Sequence, residues 1–264
     1  MRNDEFTCLK IERDADVLKV VIDNPASELN VVDEAMHHDL AALFAQLKVE
    51  TEARAVLLTG TGRAFSAGGS FDWFKTLRTP RRTFELNRSA KNLIWDMLDV
   101  QLPIVSAVHG YAMGLGASIA LLSDVIFMAE SAKIADPHVR AGIVAGDGGV
   151  AAWPLAIGPA KAKELLMTGD PVTAVDAERM GLVNHVVPDD QLEIQALQFA
   201  HRLAAGAPMA IQYTKMSVNK LVKSALNDAF DASTGYEMST FLSKDHVEAV
   251  DAFLEKRTPT FTGD

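Results

Sequence analysis

The chain has 264 residues, enough for one large domain or for a core with a smaller C-terminal appendage. A hydrophobic share of 48% against 23% charged residues is that of a globular protein, and the net charge of −10 argues against a nucleic-acid or acidic-membrane binder. The single cysteine, Cys8, excludes an internal disulfide and a cysteine-based zinc cluster. With a polar stretch from Met1 to Lys10 and no apolar signal segment, the expectation is a cytosolic, cytoplasmic protein.

Phe6 to Glu12 and Val17 to Ile22 read as strands joined by the polar turn Arg13-Asp14-Ala15-Asp16, and Asn24-Pro25 ends the second. Asp33 offers a helix N-cap, followed by Met36, Leu40, Leu43, Phe44 and Leu47 on one face. His37 and His38 on the same helix read as a solvated face beside Asp33 and Glu34. Arg54 to Thr59 is a buried-type strand, leading into the glycine turn Phe65-Ser66-Ala67-Gly68-Gly69-Ser70. Residues 81–100 form a helix with Phe84, Leu93, Ile94, Met97 and Leu98 inward, ended by Pro103.

The most informative stretch follows. An apolar strand, Ile104 to Val108, runs into Gly110-Tyr111-Ala112-Met113-Gly114-Leu115-Gly116-Ala117-Ser118 and then a helix ending near Ser123-Asp124. Bare backbone amides at such a turn point at an anion, and two amide-rich turns together make an oxyanion hole. Gly114-Leu115-Gly116 is no dinucleotide fingerprint. Ile119 stands at the third glycine position, and Asp136, about twenty residues on, is not in a first βα unit. Strand Val125 to Met128, helices near 149–157 and 160–168, a short helix Ala174 to Met180 and the strand-like Val183 to Val187 complete the alternating pattern. From Asp189 to Glu255 the pattern is helical with a break at Ala207-Pro208. Alternating strands and helices indicate α/β, divided here into a core of residues 1–188 and a helical C-terminal region of residues 189–264.

These elements resemble the crotonase (enoyl-CoA hydratase/isomerase) superfamily from about Phe6 to Phe261. The resemblance rests on Asn24-Pro25 through Leu29-Asn30, Ala64 to Gly68, Val105 to Gly116, Asp124, Gly148-Gly149, Met167-Thr168-Gly169, Ala174 to Val183 and Phe253 to Arg257. It implies a spiral of ββα turns, C-terminal helices that build a homotrimer or dimer of trimers, and an acyl-CoA thioester substrate, with no bound prosthetic group or metal. It places the oxyanion-hole amides at Ala67 and Leu115. The same resemblance implies coenzyme A along Glu28-Leu29-Asn30 and Ser66, Gly68, Gly69 and Ser70, with Lys256 reaching its phosphates. Ser70 replaces the usual Asp of that turn, and a serine still caps a helix start.

Where hydratases of the family carry two catalytic glutamates, this chain has Ser118 and His138. His138 is instead followed by Asp147, and the pair resembles that of the superfamily's β-diketone hydrolases, in which a carboxylate orients an imidazole that activates water. The expectation is therefore an enzyme that stabilises a thioester or β-dicarbonyl enolate, with His138 and Asp147 driving hydration or hydrolytic C–C cleavage. Three other readings stand beside it: Asp147 simply caps the helix that follows, Ser118 is a thioesterase nucleophile, or the chain is a silent acyl-CoA-binding protein. Trp73, Trp95 and Trp153 read as core or pocket-wall residues, with Trp153 and Phe74 placed along the acyl channel by the resemblance.

Overall fold

The structure is a computed structural model that describes residues 5–264. Strands β1 (Leu9–Asp14) and β2 (Val17–Ile22) pair antiparallel across a tight turn in which Ala15 has φ 50°. The first strand thus begins and ends later than the sequence suggests, because Arg13 and Asp14 still pair with Leu18 and Val17. Strands β3 (Ala55–Gly60), β4 (Ile104–Val108), β6 (Val125–Ala129) and β9 (His185–Val187) add in parallel, in the order β1-β2-β3-β4-β6-β9. A second, three-stranded sheet holds β5 (Tyr111–Met113), β7 (Lys133–Ala135) and β8 (Val172–Thr173). Strands β4 and β6 of the large sheet each lead into a strand of the small one, β5 and β7, and then into a helical segment, which is the ββα turn the resemblance implies. The buried β3 and β4 read as continuous apolar runs because neighbours cover both faces.

Helix α1 (Glu34–Leu47) starts where the Asp33 carboxylate accepts the Met36 amide, and its apolar face is buried as its spacing requires. Ser70 likewise caps the short α2 (Phe71–Phe74) by accepting the Trp73 amide. Helix α3 (Pro80–Asp99) buries Leu93, Ile94, Met97 and Leu98, but Phe84 in its first turns is 69% exposed. Thr83 takes the buried position of that turn, so Phe84, one residue on, is turned about 100° away from the buried face and meets solvent. Helices α4 (Leu115–Leu121), α5 (Gly149–Ile157), α6 (Pro159–Thr168) and α7 (Ala174–Arg179) follow the order expected.

The C-terminal quarter is helical: α8 (Leu192–Ala204), α9 (Pro208–Phe241) and α10 (Lys244–Glu255). Helix α8 lies on β3, β4 and β6, so it is a layer of the core. Helix α9 is tied down by the buried Lys215, which pairs with Asp124 at 2.7 Å, and by Asn219, which donates to the Leu98 carbonyl. Helix α10 packs on the segment that carries His138, where His246 is fully buried with Nδ1 2.7 Å from the Ala141 carbonyl oxygen. Trp153 is also fully buried in the main core, away from the channel wall where the resemblance puts it.

Candidate active site

The two glycine turns meet. Ser66 and Ala112 form a parallel bridge in which the Ser66 amide donates to Tyr111 and the Met113 amide donates back to Ser66. Gly116 has to be glycine at this junction, since a Cβ there would lie 2.7 Å from that of Ser66. Asn30 latches the assembly from below. Held at φ 50°, its buried side chain donates to the carbonyls of Ile22, Thr61 and Ala64 and accepts the Asn24 amide.

The amide inventory corrects one expectation. The Ala67 amide is spent on the Leu29 carbonyl at 2.9 Å and cannot serve an oxyanion. Gly68, at φ +82°, turns the backbone over, so that the next outward amide is that of Gly69. Gly69 bridges to Val32, whose bonds go to the Gly68 carbonyl and the Ser70 amide on either side. Among the described residues the amides of Gly69 and of Leu115, the latter at the start of α4, have no acceptor. The Leu115 amide is thus left free, and beside it the free amide is that of Gly69 and not that of Ala67.

Beside these amides sits His138, in a short 3-10 turn after Pro137. Its ring lies between two buried carboxylates. Nδ1 bonds Asp136, two residues earlier, and Nε2 is 3.4 Å from Asp147. The sequence paired His138 with Asp147 alone; the carboxylate on Nδ1, which fixes the ring, is Asp136. Asp147 caps nothing. Gly148 occupies the N-cap position of α5, and Asp147 instead accepts the Ser118 hydroxyl at 2.9 Å and faces the imidazole. Ser118 is fully buried and gives its proton to Asp147, the wrong partner for a nucleophile that His138 would activate. Burial alone would lower the affinity of His138 for a proton, but the charges of Asp136 and Asp147 outweigh it and hold the imidazole well above the usual histidine range. Burial pushes the Asp147 carboxyl up, yet the opposing His138 charge and the hydrogen bonds from His138 and Ser118 bring it below its ordinary value. The three residues offer ligand atoms within 4.8 Å of one another, close enough for a cation. Both ring nitrogens, however, already face carboxylates, which together favour the protonated ring.

Two spaces open on this centre. A narrow inner cavity of about 50 Å³ is lined by Gly69, Leu115, His138, Asp147, Trp73, Phe74 and the apolar faces of α3 and α9. An outer cleft of about 350 Å³ runs over Ala67, Gly68, Gly69 and Gly114 toward Arg140, Phe253 and Arg257. The expected nucleotide-side residues divide: Gly68 and Gly69 line the cleft, whereas Ser66 is buried beneath the turn, donating to the Asn30 carbonyl. Glu28 and Leu29 lend only backbone carbonyls to the latch, accepting the amides of Arg63 and Ala67. Lys256 is exposed at the left-handed C-cap of α10, and the cations on the cleft wall are Arg140 and Arg257. His37, read as solvent-facing, is 94% buried and lines the inner cavity, as does Glu237 of α9; only His38 is exposed.

The sequence profile of enoyl-CoA hydratase/isomerase matches residues 12–264. The chain belongs to the enoyl-CoA hydratase/isomerase family. A probable enoyl-CoA hydratase of Mycobacterium bovis is 32% identical over 258 residues, covering 97% of this chain and 98% of its own. An enoyl-CoA hydratase/isomerase structure from Mycobacterium paratuberculosis superposes with a TM-score of 0.89 at 34% identity, covering 93% and 98% of the two chains. A β-diketone hydrolase from the cyanobacterium Anabaena, solved with (S)-3-oxocyclohexyl acetic acid, superposes with a TM-score of 0.85 at 29% identity, covering 90% and 96%. The crotonase fold and membership of an enzyme superfamily that acts in acyl-CoA metabolism thus stand. Among the described residues no helix is long and apolar enough to cross a membrane.

Proposed function

We propose that this protein cleaves a carbon–carbon bond of a β-dicarbonyl compound, free or as its coenzyme A thioester, by addition of water. The observation that carries this reading is His138, clamped between Asp136 and Asp147 beside the free amides of Gly69 and Leu115. One carbonyl oxygen sits on the two amides. Once His138 has lost the Nε2 proton that the two carboxylates hold to a raised pH, it keeps its Nδ1 proton on Asp136 and takes a proton from water through Nε2, and the hydroxide adds to the other carbonyl carbon. The tetrahedral adduct then expels the adjacent carbon as an enolate whose oxygen the amides stabilise. The imidazolium returns its proton to that carbon, giving a carboxylic acid and a ketone or shortened thioester. Losing one such amide donor typically costs about a hundredfold or more in rate.

The structural likeness to a β-diketone hydrolase supports this reading, as does the absence of both hydratase glutamates at Ser118 and His138. Similarity to hydratases favours a second version, water addition to an enoyl-CoA with His138 acting first as base and then as acid. In either version a thioester's coenzyme A occupies the outer cleft, its phosphates held by Arg257 and Arg140. Three copies assemble through the apolar residues that α9 leaves exposed, Met209, Tyr213, Val218 and Leu221. The test is turnover of crotonyl-CoA and of a cyclic 1,3-dione by wild type and His138→Ala. Dione cleavage abolished by the substitution is the expected result. Crotonyl-CoA hydration abolished by it selects the second version, and silence on both with retained CoA binding overturns catalysis in favour of a binding protein.

A further inference from the structure

The turn that carries His138 is too short to hold its own shape. It spans His138–Ala141 and is closed by bonds from the Arg140 amide to Pro137 and from the Gly142 amide to Val139. Bonds of this 3-10 type are poorly aligned, and a single turn of them relies on its surroundings. Yet the imidazole has to meet groups that belong to other segments. Asp147, held by Ser118 of α4, faces Nε2 from just before α5, and a Cβ on Gly114 would lie 3.3 Å from the His138 Cε1. Whatever fastens the turn therefore fixes where the ring stands.

On the solvent side the fastening is Arg140, whose Nε donates to the Thr168 carbonyl and whose guanidinium pairs with Asp170. On the inner side it is His246 of α10, a residue the reaction above does not use. The His246 ring is fully buried, with the ring of Phe241 edge-on at 4.9 Å and that of Phe74 tilted at 5.8 Å. Its Nδ1 lies 2.7 Å from the carbonyl oxygen of Ala141, 105 residues away along the chain. A carbonyl only accepts, so the ring proton is on Nδ1 and Nε2 keeps a lone pair, which no described residue bonds. Burial lowers the proton affinity of the ring; the bond to Ala141 opposes this and the Arg78 charge reinforces it, so the ring is neutral. Beside two phenylalanines an apolar side chain would pack as well, without leaving a buried nitrogen unpaired. What histidine adds at this position is one N–H. Gly142 brings the two backbones together at the same place: at φ +68°, a Cβ there would fall 2.9 Å from both the Asp245 carbonyl oxygen and the His246 amide nitrogen. The start of α10 and the end of the turn are thus one contact.

We propose that His246 is a positioning residue for His138: its Nδ1–H holds the Ala141 carbonyl, and so keeps the His138 ring in register with Asp136, Asp147 and the free amides of Gly69 and Leu115. This rests on the reading of His138 as the base. Helix α10 also walls the outer cleft through Ala249, Phe253 and Arg257. General loosening of the helix would therefore weaken ligand binding, whereas loss of this one bond displaces the base and leaves the cleft as it is.

The experiment compares His246→Phe, which fills the space without a donor, with His246→Asn, whose side-chain N–H stands where Nδ1–H does. Kinetics use crotonyl-CoA or the cyclic 1,3-dione, whichever wild type turns over. The second readout is the downfield NMR signal of the proton between His138 and Asp136, assigned by its loss in His138→Ala. His246→Phe is expected to lower kcat about tenfold or more with KM within about twofold of wild type. It should also move the pH profile of kcat/KM to lower pH, as the ring draws away from its carboxylates, and displace the NMR signal. His246→Asn should return kcat to within about threefold of wild type, together with the profile and the signal. The signal needs no turnover, so a wild type silent on both substrates would count against the base and leave the NMR comparison to decide this proposal. Should His246→Phe fail to fold, His246→Leu takes its place. If neither folds, the imidazole spectrum of wild type at neutral pH decides: a His246 proton on Nδ1 upholds the proposal and one on Nε2 overturns it. An unmoved signal or unchanged kcat in the folded donor-less variant, kcat and KM altered in proportion, or a folded Asn variant no better than the Phe variant also overturns it.

Discussion

At the scale of single residues, the proposed chemistry turns on one imidazole and the carboxylates around it. Asp136 fixes the His138 ring through Nδ1 and, together with Asp147, raises its proton affinity. Asp136→Asn is therefore expected to lower turnover by about 10²- to 10⁴-fold, the range seen when a buried orienting carboxylate is neutralised. In whatever activity remains, the pH profile of kcat/KM, which rises as His138 loses its proton, should move to lower pH. An unmoved profile would take His138 out of the base role. Glu237 makes the opposite prediction for stability. Its folded value lies above the ordinary 4.5, so its contribution to the fold is complete below that pH and is lost as pH rises through the raised value. Glu237→Gln removes the penalty, and its unfolding midpoint relative to wild type should climb as pH rises above the ordinary 4.5, levelling off only past the raised value. A difference that stays constant above pH 4.5 would mean that the carboxyl is not held neutral.

At the scale of elements, the site depends on two turns held in register by a latch. Asn30 spends four hydrogen bonds on joining β2, the Thr61 to Ala64 loop and the Asn24 turn. Removing it leaves buried carbonyls unpaired, and Asn30→Ala should cost about 2–4 kcal/mol by denaturant unfolding. Because the Ser66 to Gly69 turn rests on the same loop, the surviving folded enzyme should also lose kcat more than KM. A variant as stable as wild type would show that the turn holds itself. Helix α5 adds a second dependence: Gly149 in its first turn lets the Asp136 carboxylate lie against the helix start, where a Cβ would fall 2.1 Å from Oδ2.

At the scale of the whole molecule, the helical C-terminal region both covers the site and presents a surface. Helix α9 supplies Glu237 to the inner cavity, and α10, stapled by the stacked rings of Phe71 and Phe253 at 4.0 Å, walls the outer cleft. The outward residues of α9 include Tyr213 and Leu221, 56% and 71% exposed in the single chain, an apolar row that association would bury. Sedimentation should report a trimer or a multiple of one for wild type, and Tyr213→Asp with Leu221→Asp should release smaller species. A wild-type monomer at micromolar concentration would refute assembly through this face.

Much of this protein follows from local pattern. The alternation of apolar runs, the cap at Asp33, the glycine turns after β3 and β4 and the long helical tail are set by side-chain period and backbone freedom within a few residues, and the structure reproduces them in order. His138 and Asp147 were legible from their place in that order. Asp136 was within reach too: it stands two residues from His138, but the sequence pattern marks it only as the acidic position of a dinucleotide fingerprint that the chain does not have. Choosing between Ala67 and Gly69 needed the φ of Gly68, which inverts the direction of successive amides. His37 and Glu237 belong to helices far apart in the chain, and a helical period cannot say which neighbour a polar residue faces. Only packing decides that. The order of the elements is local physics written along the chain; the polar lining of the cavity exists only where α1, α3 and α9 close on the two turns and water is driven out.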